Sequence, residues 1–180
     1  MKKELVIAHY AEDESWITDS SLSDWSVKIY YKSIEGVIGL PNIGREASTY
    51  LYHIIENYNN LADETVFCQG DPFGHSPNFL NEVNSDNIFI GPITYCNSFG
   101  LPHADWVKMP AYCNIFEMPL LEEFVFAAGA QYRVTKLQIQ SRNIDFYKGL
   151  FALCMCDPTA AWTLERLWPS IWNLKYNEIL

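Results

Sequence analysis

The sequence predicts an α/β fold, a mostly parallel central sheet flanked by helices. Two observations carry the prediction. Short apolar runs rich in β-branched and aromatic residues alternate with a segment of clear helical period through the first half of the chain. The composition is also that of a globular core, with 49% hydrophobic and 19% charged residues. A chain of 180 residues is long enough to bury a full core and short enough to be read as one domain, 1–180. No internal repeat, low-complexity segment or linker interrupts it.

The elements follow in order. Residues 5–10 (LVIAHY) form a short apolar run bounded by charge, as a buried strand requires. The acidic AEDESW that follows reads as a loop or the first turn of a helix. Residues 26–31 (SVKIYY) are rich in β-formers and predict a second strand. Residues 34–41, with two Gly and one Pro, predict a loop. From Arg45 the period changes: Ala47, Leu51, Ile54, Ile55 and Tyr58 share one helical face, and NYNNL ends it.

Residues 65–68 (TVFC) predict a third strand, followed by the turn-rich Gly70-Asp71-Pro72-Phe73-Gly74-His75. Ser76-Pro77 predicts a helix start, with Ser as cap and Pro in the first turn. Residues 87–114 mix Pro, Gly and aromatics and yield no clear period. Residues 124–132 (FVFAAGAQY) predict a strand leading to a bend at Gly129. Thr135 is a candidate cap for a helix reaching about Arg142. Residues 144–154 predict a helix with Phe146, Leu150 and Phe151 or Leu153 inward. Leu164, Leu167, Trp168 and Ile171 mark a last helix, with Pro169 expected to kink or break it.

Charge excludes some classes of partner. Twelve basic residues against twenty-two acidic ones give a net charge of −10, which disfavours nonspecific binding to nucleic acid or anionic lipid. A diphosphate ligand would need a local cation, from Arg or a divalent metal. The five cysteines have no zinc-ligand spacing and read as reduced, mostly buried thiols. The Lys2-Lys3 start is followed by too short an apolar run for a signal peptide, and no segment approaches the roughly 18 apolar residues of a membrane span. A cytoplasmic location is the expectation.

In open α/β sheets ligands bind beyond the carboxyl ends of the strands. Three groups fall there: His9, Tyr10, Glu12 and Asp13 after the first strand; Lys32 and the Asn42-Ile43-Gly44-Arg45 turn after the second; Gln69, Gly70, Asp71 and His75 after the third. All three are expected on one rim. Asn42 to Arg45 combines a turn, a helix N-terminus and a guanidinium, which together attract phosphate; the plain alternative is a loop with a surface Arg. Asp71 is placed to bind Mg²⁺ or Mn²⁺ with His75 as a second ligand, against the simpler reading of a β-turn. Glu165-Arg166 reads first as a structural ion pair and second as a general base at Glu165. Ala128-Gly129-Ala130-Gln131 reads as a tight bend or as the lining of a sugar pocket. His53 and His103 have no partner at catalytic spacing.

Two resemblances rest on these residues. The segments IAHYAEDESW, PNIGREASTYL, VFCQGDPFGH, GAQY, DFY and ERLW resemble, almost end to end, the motifs of an uncharacterised family with no established activity. The chain is also similar, more distantly, to the GT-A glycosyltransferase fold. Asn42, Gly44 and Ala47 match that fold's turn into a helix, and residues 66–71 stand where its aspartate-x-aspartate metal motif would be. Only Asp71 is acidic there, Gln69 standing in place of the first carboxylate, with His75 and Glu46 the residues near enough to compensate. At 180 residues the chain is short for this fold, which implies an abbreviated acceptor half.

The second resemblance implies a sugar transferase that takes a nucleotide-sugar donor and an acceptor the sequence does not identify. Tyr10 would contact the base; Asn42, Arg45, Gln69 and Asp71 would hold the donor; Gln131 would line the acceptor side. Mn²⁺ or Mg²⁺ would sit on Asp71 and His75, and Glu165 would be the catalytic base. The alternative is a non-catalytic nucleotide-sugar or carbohydrate binding module that keeps the fold. A hydrolase built on Asp71 and His75 is the third reading, and it lacks a clear nucleophile.

Overall fold

The computed structural model describes residues 1–33, 39–97 and 107–174. The first strand, β1 (Lys3–His9), is buried along almost its whole length, as expected of a strand covered on both faces. It pairs in parallel with β2 (Ser26–Ser33) on one side and β4 (Glu64–Gln69) on the other. Beyond β2 lies the two-residue β3 (Leu40–Pro41), also parallel. The expected parallel sheet is therefore present. It ends in one antiparallel strand, β7 (Tyr132–Thr135) on β4, giving the order β3-β2-β1-β4-β7. A separate antiparallel pair joins β5 (Ile93–Asn97) to β6 (Glu123–Ala127).

Strand alternation divides the core. Leu5, Ile7, Val66 and Cys68 face Leu22, Trp25, Phe79 and Val83, which come from a 3₁₀ turn at Ser20–Leu22, the residue before β2, and the short helix α2 (Phe79–Glu82) with its C-terminal cap. Val6, Ala8 and Phe67 face the larger cluster formed by three helices, α1 (Arg45–Asn57), α5 (Ile144–Cys156) and α6 (Ala160–Ile171). There Phe67 stacks on Trp172 at 5.6 Å, and Trp172 on Trp168 at 4.5 Å. Such pairs add roughly 0.5–1.5 kcal/mol each beyond area burial. Two further helices, α3 (Met109–Ile115) and α4 (Lys136–Gln140), complete the described elements. Among the described residues no helix is long and apolar enough to cross a membrane.

Several local expectations are met with changes. Thr135 caps α4 through a capping box with Gln138. The inward face of α5 is Tyr147, Leu150 and Cys154, with Phe146, Phe151 and Leu153 only partly buried. AEDESW ends in a single 3₁₀ turn, Ser15–Thr18. Ser76-Pro77 does not open a helix. The Ser76 hydroxyl donates to the Ile90 carbonyl instead, and α2 begins three residues later. The strand expected over 124–132 ends at Ala127, and the chain reverses where Gly129 and Ala130 both take positive φ. β5 and α3 lie in the stretch whose mixed composition concealed any period; His103, in the same stretch, lies outside the described residues.

Pro169 does not end α6: the helix runs on to Ile171. Proline has no N–H for the carbonyl four residues back, which is that of Glu165. The Tyr132 hydroxyl donates to that carbonyl at 3.2 Å and accepts from the Ala127 N–H at 2.8 Å. A neighbouring strand thus supplies the hydrogen bond that the proline removes.

Candidate ligand cleft

The strand order changes direction at β1. From β1 the chain builds outward through β2 and β3, then returns to place β4 on the other side. A crevice opens beyond the carboxyl ends of β1 and β4, as at the switch point of doubly wound sheets. A cavity of about 600 Å³ occupies it. Tyr10 and Glu12 line it from the end of β1, Lys32 and Asn42 from the end of β2, and Gln69, Asp71 and His75 from the end of β4. The three groups expected on one rim are therefore brought together. A second lobe of about 340 Å³ adjoins the first and shares Arg45, Glu46, Gln69 and His75 with it. Its far wall is Thr94, Phe126, Ala128, Trp162, Glu165 and Arg166.

The wall between the lobes is the first turn of α1. Gly44 precedes it at φ 70 and Arg45 opens it at φ 46, so two successive residues are left-handed. Gly44 cannot carry a side chain here: a Cβ would lie 2.3 Å from the Cys154 sulfur. Lys32, only 6% exposed, fixes the turn from below. Its Nζ donates to the carbonyls of Ile43 (3.1 Å) and Arg45 and to the Ser48 hydroxyl (2.7 Å). Burial lowers the Lys32 ammonium to about 8, against the opposing pull of Glu46. The Arg45 guanidinium lies over the Trp162 ring, 5.4 Å from its centroid, with Nε 3.6 Å from the Glu46 carboxylate.

Glu46 is the perturbed group of the cleft. Its side chain is 8% exposed, and burial raises its carboxyl to about 7. Its own backbone N–H, Arg45 and Lys32 pull the other way, while Glu165 adds to the rise. Glu165 is held differently: Oε1 accepts the Gly129 N–H at 2.8 Å and Oε2 accepts from Arg166 Nη1 at 2.9 Å. The expected ion pair with Arg166 is present, and the same carboxylate anchors the bend at Gly129. A side chain on Gly129 would meet the His75 ring at 2.6 Å, so this bend seats His75 between the lobes.

The loop after β4 is braced by the segment that follows β1. Trp16 Nε1 donates to the Gly70 carbonyl at 3.0 Å, and the Glu12 carboxylate lies where a Gly70 side chain would be. Gln131, expected to line a pocket, is fully buried and lines neither lobe. Its amide donates to the Pro72 carbonyl and the Ser76 hydroxyl, holding the loop that carries Asp71 and His75. Asp71 shows the turn geometry that its sequence context also allowed: Oδ1 accepts the Phe73 N–H at 3.0 Å. Among the described residues no hydrogen bond joins Asp71 to His75.

The expected metal pair does not extend to a metal centre. Among the described residues no three His, Cys, Asp or Glu side chains converge on a cation position. A further carboxylate on the rim, Glu12, commits Oε2 to the backbone N–H groups of Tyr10 and Ala11. Asp71 and His75 therefore form no all-protein cage, and a Mn²⁺ or Mg²⁺ on them would need the oxygens of a bound phosphate to complete its shell. The sequence raised Glu46 only as a stand-in for the missing carboxylate and did not single out Trp162. An acidic residue in a helix's first turn ordinarily complements the dipole, and nothing local shows that α6 brings Trp162 to Arg45.

Residues 5–89 match the family described as "Protein of unknown function (DUF3431)". The matched region holds the IAHYAEDESW, PNIGREASTYL and VFCQGDPFGH segments, and the GAQY, DFY and ERLW segments lie beyond it. No curated protein and no solved structure matches the chain.

Proposed function

We propose that the cleft of this chain binds a nucleoside diphosphate sugar and that the protein, with a GT-A-like fold, transfers the sugar to an acceptor hydroxyl. The observation that carries the reading is the position of Arg45. It stands at the N-terminus of a 13-residue helix, at the switch point of the sheet, on the wall shared by two lobes. A guanidinium there binds a diphosphate bidentately, and the helix terminus adds to the attraction. It also stabilises the charge that develops on the leaving diphosphate.

The remaining residues divide between the lobes. The larger lobe takes the nucleotide, with Tyr10 against the base, Asp71 accepting from a ribose hydroxyl, and Asn42 and Gln69 donating to the phosphates. The smaller lobe takes the sugar and acceptor. Its mixture of Trp162, Phe126, Thr94 and Glu165 suits a ring with C–H faces and hydroxyl edges. No step is assigned to a metal; Asp71 and His75 are the residues that would hold one against the diphosphate.

Calorimetric titration of uridine and guanosine diphosphates, with and without Mn²⁺, tests the reading. One of them is expected to bind without metal, and Arg45→Ala to weaken binding about tenfold or more, the loss of a charged hydrogen-bond pair. No binding of any nucleoside diphosphate or nucleotide sugar overturns it. A second reading, a binding module without turnover, is favoured by Gln69 standing where the resemblance places a carboxylate. Binding without turnover across an acceptor panel selects that reading.

A further inference from the structure

We infer that Glu46, not Glu165, is the proton acceptor of the cleft, deprotonating the acceptor hydroxyl as it attacks the donor sugar. The inference rests on the nucleotide-sugar reading above and adds the identity of the base. Three observations lead to it. Among the described residues Glu46 is the one carboxylate that lines both lobes, so it stands where a donor in one meets an acceptor in the other. It is held in place by a turn that Lys32 pins through three bonds. Glu165, by contrast, already accepts from the Gly129 N–H on one oxygen and from Arg166 on the other, and a proton on either oxygen would compete with one of these bonds.

The environment suits the task. A general base works best with a pKa near the working pH, and burial places Glu46 at about 7. The groups that face it come from several elements: Arg45 and Tyr50 on α1, Lys32 on β2, Cys154 on α5, Glu165 on α6, and His75 on the loop after β4. Lys32 and Arg45 favour the ionised form, Glu165 opposes it, and a bound diphosphate would oppose it further.

The step balances without a metal or a redox partner. The Glu46 carboxylate takes the hydroxyl proton. The acceptor oxygen forms the bond to the anomeric carbon. The bond from that carbon to the phosphate oxygen breaks, and its electron pair leaves on the nucleoside diphosphate beside Arg45. Neutral Glu46 then returns the proton to solvent. With water as acceptor the same steps give hydrolysis, so the test needs no knowledge of the natural acceptor.

Release of nucleoside diphosphate from uridine and guanosine diphosphate sugars is measured between pH 5.5 and 9, with water and with an acceptor panel, for wild type, Glu46→Gln and Glu165→Gln. Diphosphate binding is measured on the same samples. Wild type is expected to lose turnover as pH falls through about 7. Glu46→Gln is expected to bind diphosphate at least as tightly as wild type, to turn over roughly 10²–10⁴-fold more slowly, and to lack the acid limb. Wild-type turnover in Glu46→Gln, or an unchanged acid limb in it, overturns the assignment. So does binding by wild type with no product at any pH, which leaves the binding reading standing. Absence of binding by wild type overturns the reading of the cleft itself.

Discussion

Arg45 and Glu46 are adjacent in sequence, yet the fold treats them oppositely: the guanidinium is exposed over Trp162 and the carboxylate is buried. The difference begins at Gly44, whose left-handed backbone turns the chain into α1. Gly44→Ala is expected to destabilise the protein by about 1–3 kcal/mol, measured by urea unfolding, because the new methyl meets Cys154 and the backbone is strained. The same variant is expected to weaken diphosphate binding by moving Arg45. At this scale the sequence was legible wherever strand ends predict a rim. Tyr10, Asn42, Arg45, Gln69, Asp71 and His75 meet because parallel strands deliver their carboxyl ends to one side. Gln131 was read as a pocket residue because small neighbours suggested open space. A buried amide serving two backbone turns leaves no local trace.

Among elements, the opposite end of β1 holds a second buried constellation. His53 on α1 lies 3.2 Å from the Glu4 carboxylate and receives or gives a bond at Tyr30. No sequence spacing joins these residues, since the pairing of β1 with β2 and the docking of α1 create the contact. Burial alone would raise the Glu4 carboxyl, but the His53 ring, with Lys2 and Lys28, together hold it below its ordinary value of 4.5. A folded-state value below the unfolded one stabilises the protein above pH 4.5 and loses that contribution as pH falls through the lowered value. Glu4→Gln is therefore expected to destabilise the protein at pH 7, and progressively less below pH 4.5, by denaturant midpoints at each pH. Pro169 makes the same point about context: helix rules predicted a break, and a tyrosine from β7 removes the reason for one.

For the whole molecule, α6 joins stability to the cleft. One side carries Trp162, Glu165 and Arg166 to the second lobe, while Trp168 packs with Trp172, just past its end, against Phe67 in the core. Trp172→Ala is expected to cost about 3–5 kcal/mol of stability and to weaken diphosphate binding as well, read by thermal unfolding and calorimetry of one sample. The α/β class was legible because strand and helix periods alternate through the first half. The antiparallel closure by β7 was not, because it depends on a reversal at residues 128–131 that brings the chain back to β4. The ends of the five-stranded sheet have a consequence for life at high concentration. On one side the last strand is two residues long and ends in Pro41, and on the other β7 is bonded in turn by residues 88–90. A strand from another copy finds a stub at one margin and an occupied margin at the other, so this sheet offers little template for fibrillar growth.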